Sequence, residues 1–531
     1  MLDRLVRFAL TQRVFVLLAI LALLLVGTYA VVELPVEAFP DVQDVQVQII
    51  TQLPGAAPEE VERGVSKPIE IEMSGVPHIT QLRSVSMPGL SVVTLLFSDH
   101  TDDYFARQQV LEKLQNVQLP PGVTPQLAPL TTAVGEVYRY SVKGPQGMPL
   151  ADLRTVQDTV VRPALRRVSG VADVVTIGGA LKEIQVRAQP LALEKFGISL
   201  QELQDALSKN SANGGGGVLR RGDEALVVRS MGLFKSLDDI RRTVVAVHEG
   251  KPVTVADLAT VAHGERERAG IVALDRESDV VEGIVNMTKG QDPAKVIAAL
   301  QTSLNTLTTQ LPPGVRLERI YDRRDLIEHT VSTVTENMIT GAVLVVAILV
   351  LFLRNWGAAL IVASVIPLAL LMAFTLMHIK GMSANLISLG AVDFGIIIDS
   401  AVVLVEALMV RLTLEAAEGA AKSDGAHRLT ALRQTATNMG HPIVFSKAII
   451  ILAFLPIFTF QRVEAKIFSP MAYTLSFALL GAILLTLTLV PTLLAYAMRN
   501  EHAIIEKHSR WMHALQEAYR AFLRWAVTRP V

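Results

Sequence analysis

Apolar runs long enough to cross a bilayer punctuate this chain, and they are distributed unevenly. The first, residues 14–32, is interrupted only by Thr28 and Tyr29. A bilayer-spanning helix needs about 20 mostly apolar residues, so this run predicts a span. Signal-peptide cores are shorter, about 7–15 residues. The run, with Arg4, Arg7 and Arg13 before it, is therefore read as an uncleaved anchor. Five more runs crowd the C-terminal part, at 338–353, 357–377, 384–410, 441–460 and 468–498. Six spans put both termini on one side. Arg354, Arg411, Lys422, Arg428 and Arg433 share that side, whereas the two short opposite loops hold only Lys380, Arg462 and Lys466. The positive-inside rule then makes the termini cytoplasmic and puts the long segment 33–337 outside.

In that segment the period shortens. Val45, Val47 and Ile49 alternate as a half-buried strand, and Pro54-Gly55 turns the chain. Pro58 opens a helix in which Val61, Val65 and Ile69 recur at helical spacing, and Gly75 ends it. Strands at 79–87 and 90–97 meet at Pro88-Gly89, and a helix at 102–114 leads past Pro120-Pro121-Gly122 to a last short strand. The order β-α-β-β-α-β predicts a ferredoxin-like unit over 33–134. A second copy is predicted over 135–190 and 275–330, with strands at 137–142, 171–177, 182–186, 280–287 and 316–321 and helices at 151–168 and 293–307. An insert at 191–274 divides it and contains the run Gly214-Gly215-Gly216-Gly217, expected to be flexible or tightly turning. The fold class expected is a membrane α-helical bundle plus an α+β head: residues 1–13 cytoplasmic, 14–32 the first span, 338–498 the other five.

Composition agrees. The 531 residues are 51% hydrophobic and 19% charged, with a mean hydropathy of +0.41, whereas soluble domains carry about 25% charged residues. A formal net charge of −1 gives no basic surplus for a nucleic-acid backbone. The absence of cysteine excludes disulfides, thiolate metal sites and cysteine nucleophiles. The two ends resemble each other: residues 5–14 line up with 522–531, with Arg, Ala, Thr and Val coinciding. This predicts that the chain stops where a second copy of the same architecture would enter the membrane, as in transporters built by duplication. Before that point, in 499–531, Trp511, Leu515, Tyr519 and Phe522 follow helical spacing and predict an amphipathic helix on the membrane surface.

The fourth span carries three carboxylates, Asp393, Asp399 and Glu406. Acids in hydrocarbon need partners, protons or water, and mark a function by default. Asp399 and Glu406, seven apart, share a helix face at about 3.6 residues per turn, while Asp393 points roughly 120° away from Asp399. Asp399 is nearest the middle of the run and suits proton uptake and release. Asp393 and Glu406 either join it or lie solvated at the two membrane faces. Other features carry less. His329 beside Glu328 and Asp325 reads as a solvated helix end, with a cation contact as the alternative. Met372, Met377 and Met382 read as packing, with a soft ion such as Cu(I) as the alternative. Lys447 reads as a side chain reaching back to the cytoplasmic face, with a cationic partner for the fourth-span acids as the alternative. Pro367, Pro456 and Pro491 are expected to kink their helices.

The stretch from Asp393-Phe394-Gly395 to Glu406 resembles the fourth transmembrane helix of the heavy-metal efflux branch of the resistance-nodulation-division (RND) superfamily, the CzcA-like pumps. Further matches run the length of the chain, among them Leu34-Pro35-Val36-Glu37-Ala38-Phe39-Pro40-Asp41-Val42, Tyr104-Phe105-Ala106-Arg107-Gln108, Asn210-Ser211-Ala212-Asn213-Gly214-Gly215-Gly216 and Phe454-Leu455-Pro456-Ile457. The resemblance implies a proton-driven exporter of divalent cations (zinc, cobalt, nickel or cadmium) and no resident cofactor. It implies a proton relay through Asp393, Asp399 and Glu406, not an enzyme's active site. The ferredoxin-like units would be porter subdomains, and 191–274 a docking insert. The implied setting is a Gram-negative inner membrane, with a homotrimer joined to a periplasmic adaptor and an outer-membrane channel. Family chains are about twice as long, so this one corresponds to the N-terminal half. Three alternatives stand beside this reading: an RND exporter of drugs or amphiphiles, a non-transporting half-subunit or fragment, and an intramembrane aspartyl protease. The protease would place its acids on two facing helices.

Overall fold

The computed structural model describes residues 2–37, 40–99, 101–268, 270–390, 394–417, 425–497 and 510–528. Six stretches are long and apolar enough to cross a membrane: Arg13–Glu33, Arg323–Leu353, Trp356–Ile379, Ile387–Thr413, Arg428–Thr459 and Arg462–Ala497. Their order matches the six hydrophobic runs, but several helices outrun the apolar residues. The second starts at Arg323, where Asp322 accepts a hydrogen bond from the Arg324 amide at 2.9 Å, and it stops at Arg354, which adopts a left-handed conformation. The third is broken at Ser364 into Trp356–Ala363 and Val365–Ile379. Pro367 accounts for the break, because its missing N–H leaves the Ala363 carbonyl without its helical donor. Pro456 lies in a short 3₁₀ turn after the fifth helix, whereas Pro491 sits within the continuous sixth helix.

The sixth span is the hub of the bundle. Ala478, Ala482, Leu485 and Val490 are buried in one apolar cluster with Ala369 and Ala373 of the third span, Ile397, Ala401 and Leu404 of the fourth, and Ile443 of the fifth. Small residues allow these backbones to approach closely, as membrane helices require when water supplies no driving force between them. The basic N-terminal flank is a separate helix, Leu2–Thr11, that buries Val6 and Ala9. Its Asp3 accepts from Arg433 at 3.1 Å and from Thr437 at 3.3 Å, and the Arg433 guanidinium holds its carboxyl below the usual aspartate range.

Two compact units divide the chain. One comprises 1–136, 287–297 and 322–531, and the other 137–286 and 298–321. The first contains the membrane helices and a four-stranded sheet of Gln46–Gln52, Ile79–Met87, Leu90–Phe97 and Gln126–Leu127, ordered second, third, first, fourth. Its pairings are antiparallel. The alternation in Gln46–Gln52 buries Val47 and Ile49 against Val65 and Ile69 of the 58–73 helical stretch and against Ala106 and Val110 of helix Asp103–Leu114. Asp102 caps that last helix by accepting from the Phe105 amide at 2.9 Å.

The second unit holds a sheet of Glu136–Lys143, Val171–Ile177, Val281–Met287 and Arg316–Asp322, ordered fourth, first, third, second. The strand expected at 182–186 does not enter it. Gly178 and Gly179, both at positive φ, turn the chain away, and Lys182–Ala188 pairs antiparallel with Ala259–Glu265. Chain leaves the sheet earlier, and returns later, than the 191–274 boundaries anticipated. The inserted part has its own core of Leu203, Ile240, Val253, Val255, Leu258 and Val261. The glycine run lies within a strand, Gly214–Arg221, paired with Glu224–Ser230.

Candidate functional site

Helix Phe394–Ala417 presents Asp399 and Glu406 to one cleft of about 390 Å³. The helical pitch is responsible: seven residues make almost two whole turns. Apolar side chains line the rest of the cleft, with Ile348, Leu349, Phe352 and Leu353 contributed by the second span. The Asp399 side chain is 59% exposed toward this space. Asp393 lies outside the described residues.

Lys447 changes the electrostatics. The favoured expectation, a side chain reaching the membrane face, does not hold: as the alternative reading of a cationic partner for the acids requires, Lys447 is 1% exposed and turned inward. Its Nζ donates to the Ile396 carbonyl at 2.5 Å and to Asp399 Oδ2 at 3.3 Å. Lys447 lies within the span Arg428–Thr459, on the side of helix Gly425–Ala453 that meets the fourth helix. There an ammonium is stabilised by a carbonyl and a carboxylate, whereas an unpaired charge would be very costly. Toward the opposite end of the same helix pair, Arg411 donates to Gln434 Oε1 at 2.6 Å. Two cations therefore clamp the fourth helix to the fifth, one at each end.

The remaining candidates do not assemble a site. Glu328 faces Arg324 at 3.8 Å, and among the described residues no three His, Asp or Glu side chains gather as a metal site. Met377 is fully buried, and its sulfur accepts from Thr474 Oγ1 at 3.2 Å. Met372 packs against Gly481. Asp399 and Glu406, the carboxylates lining the cleft, lie on a single helix, which is not the facing arrangement a protease dyad needs.

The motif from Asp393-Phe394-Gly395 to Glu406, with the further motifs along the chain, resembles RND pumps, and Asp399 and Glu406 of that motif share the cleft. The model of the AcrB/AcrD/AcrF family matches residues 5–531. The chain belongs to the AcrB/AcrD/AcrF family. It is 40% identical over 533 residues to the cobalt-zinc-cadmium resistance protein CzcA of Cupriavidus metallidurans, covering 98% of this chain and 50% of that protein. The cation efflux system protein CzcA of an Alcaligenes species is likewise 40% identical over 98% of the chain. A solved heavy metal efflux pump superposes with a TM-score of 0.81 at 38% identity, covering 99% of this chain and 52% of that one. The chain spans about half the length of the curated relatives it matches. The resemblance read from the motifs is thus confirmed at family level, together with the RND permease fold.

Proposed function

We propose that this chain works within a proton-driven RND exporter of divalent metal cations, zinc, cobalt, nickel or cadmium, and corresponds to the N-terminal half of such a pump. The observation that carries the reading is the pair Asp399 and Glu406 on one cleft of a membrane helix, in a chain similar to proteins named for cobalt, zinc and cadmium resistance. Carboxylates two turns apart can pass a proton in steps between membrane faces, with Asp399 the central relay group and Asp393 and Glu406 its neighbours. Proton movement would then drive the segment between the first two spans through its cycle. Both four-stranded sheets have the strand order fourth, first, third, second, which supports ferredoxin-like porter subdomains. The separately cored insert supports a docking role. The charge bias supports cytoplasmic termini and a periplasmic head. Family kinship supports an inner-membrane homotrimer with a periplasmic adaptor and an outer-membrane channel.

The test is growth of a metal-sensitive Gram-negative host carrying the gene from its natural locus, with all flanking coding sequence. Wild type and Asp399→Asn are compared across zinc, cobalt, nickel, cadmium, copper and several dyes, at matched membrane abundance. Protection against a divalent metal that disappears with Asp399→Asn is expected. Protection against dyes alone overturns the substrate, and an active Asp399→Asn variant overturns the relay.

A further inference from the structure

The first helix, Leu2–Thr11, is held from one side. Its Ala9 carbonyl accepts from Thr492 Oγ1 of the sixth span at 3.2 Å, and its Asp3 accepts from Arg433 and Thr437 of the fifth at 3.1 and 3.3 Å. Val6 is buried in the apolar cluster of the bundle. These contacts set the depth of the helix. Thr437 precedes the apolar run that starts at 441 by four residues, and Thr492 precedes the end of the last run, at 498, by six. At a rise of about 1.5 Å per residue, both anchors lie within about 10 Å of the hydrocarbon edge. That is the depth of lipid headgroups and the first carbons of their chains.

The opposite face of this helix is exposed along Arg4, Arg7, Phe8 and Thr11, positions three and four apart that share one side. Asp3 is divided between Arg433 at 3.1 Å and Arg7 at 3.4 Å, and the Arg7 side chain stays 58% exposed. Among the described residues Arg4 makes no ion pair. The face therefore carries surplus positive charge at headgroup depth. Beside it the exposed Phe8 ring meets Phe15 of the first span edge-on, with centroids 5.5 Å apart. Phe15 and Leu18, both exposed and about one turn apart, continue the apolar surface along the span.

We propose that this face binds an anionic phospholipid, with Arg4 and Arg7 on the phosphate and Phe8, Phe15 and Leu18 along an acyl chain. A cation pair joined to an apolar strip matches the layout of such a molecule in both charge and polarity. Guanidinium groups fork onto phosphate oxygens, and their stems lie along apolar surface while the heads stay in the polar layer. A zwitterionic lipid offsets the headgroup charge with its own ammonium, and soluble phosphate has no chain for the strip. The bound lipid would brace the first helix on its free side, and with it the ends of the fifth and sixth spans that the helix touches. The proposal depends on the spans crossing a bilayer and not on the metal or the proton relay.

The experiment uses the protein expressed from its natural locus with all flanking coding sequence, purified into nanodiscs of equal phosphatidylglycerol and phosphatidylcholine. Native mass spectrometry then reads which lipids stay bound. Wild type is expected to retain phosphatidylglycerol over phosphatidylcholine. Arg4→Gln and Arg7→Gln should each weaken that retention about fivefold, and together about 30-fold, the scale of one cation near an anionic lipid surface. The single variants carry the test should the double one fail to accumulate. Arg4→Lys with Arg7→Lys keeps the charge and should retain the preference. Arg220→Gln with Arg221→Gln, at exposed positions of the insert, removes the same charge elsewhere and should change nothing. In detergent, phosphatidylglycerol should raise the thermal midpoint of wild type and not of the double Gln variant, while glycerol phosphate at the same concentration leaves wild type unmoved. If the Arg4 and Arg7 variants retain phosphatidylglycerol as wild type does, the site is overturned and the face is covered by protein in the whole pump. If the Arg220 and Arg221 variant loses as much lipid, overall charge and not this face is responsible. Equal stabilisation by glycerol phosphate overturns the lipid as occupant.

Discussion

Gly283→Ala probes how tightly the second unit's sheet is packed. Gly283 lies in Val281–Met287, beside the strand carrying Tyr140. A Cβ at Gly283 would overlap Tyr140 Cζ and Oη and lie 2.7 Å from Cε2. The ring cannot simply swing away. Tyr140 is fully buried and donates to Gln157 Oε1 at 3.1 Å, and Gln157, also fully buried, donates to Thr176 Oγ1 at 3.2 Å. Overpacking a dense core costs about 1–3 kcal/mol, and loss of a buried hydrogen bond adds about 1–3 kcal/mol. The expected penalty is about 3 kcal/mol, or roughly a 150-fold rise in local opening. Peptide-resolved hydrogen exchange on the purified protein, reading 137–286 and 298–321, measures it directly. Tyr140→Leu removes the obstructing atoms, so the double variant should recover at least about 1 kcal/mol relative to additivity. Opening within threefold of wild type for Gly283→Ala, or strict additivity in the double variant, would refute the packing argument.

Three further outcomes follow from other contacts. Gly27 of the first span lies so close to the third that a Cβ would sit 2.9 Å from Leu371 Cβ. Gly27→Ala should therefore cost about 1–3 kcal/mol, read as a lower thermal midpoint in detergent and recovered in part by Leu371→Ala. The carboxyls of Glu202, Asp239 and Asp257 are held below their ordinary values of 4.5, 3.8 and 3.8 by hydrogen bonds at helix N-termini. Their stabilisation is full above those values and is lost as pH falls through the lowered ones. Hydrogen exchange in 182–265 should accordingly show extra opening in strong acid that Asp239→Asn and Asp257→Asn blunt. Lys466 donates to the Gln43 carbonyl at 2.7 Å and to Asp44 at 3.1 Å, tying the start of the sixth span to the chain entering the first sheet. A Lys466→Met and Asp44→Asn cycle should show a coupling of about 0.5–1 kcal/mol in thermal unfolding, and zero coupling would remove that tie.

What could be read from the chain itself was whatever depends on local chemistry. About twenty apolar residues in a row have one economical way to be buried, so the six spans were visible without a partner in sight. The shared face of Asp399 and Glu406 followed from helical pitch alone, and their common cleft agrees with it. The alternation of Val47 and Ile49 indicated a strand with one buried side, and both lie in the core of the first sheet. Tertiary structure decided what depends on register between distant segments. Lys447 and Asp399 meet because two helices run side by side at one particular offset, which no local pattern encodes. Lys182–Ala188 pairs with Ala259–Glu265 because two glycines at positive φ redirect the chain, although its own alternation would suit either sheet. The close fit of Tyr140 over Gly283 has the same origin. Hydrophobicity and pitch are properties of neighbours along the chain, whereas ion pairing, strand order and interdigitation are properties of neighbours in space.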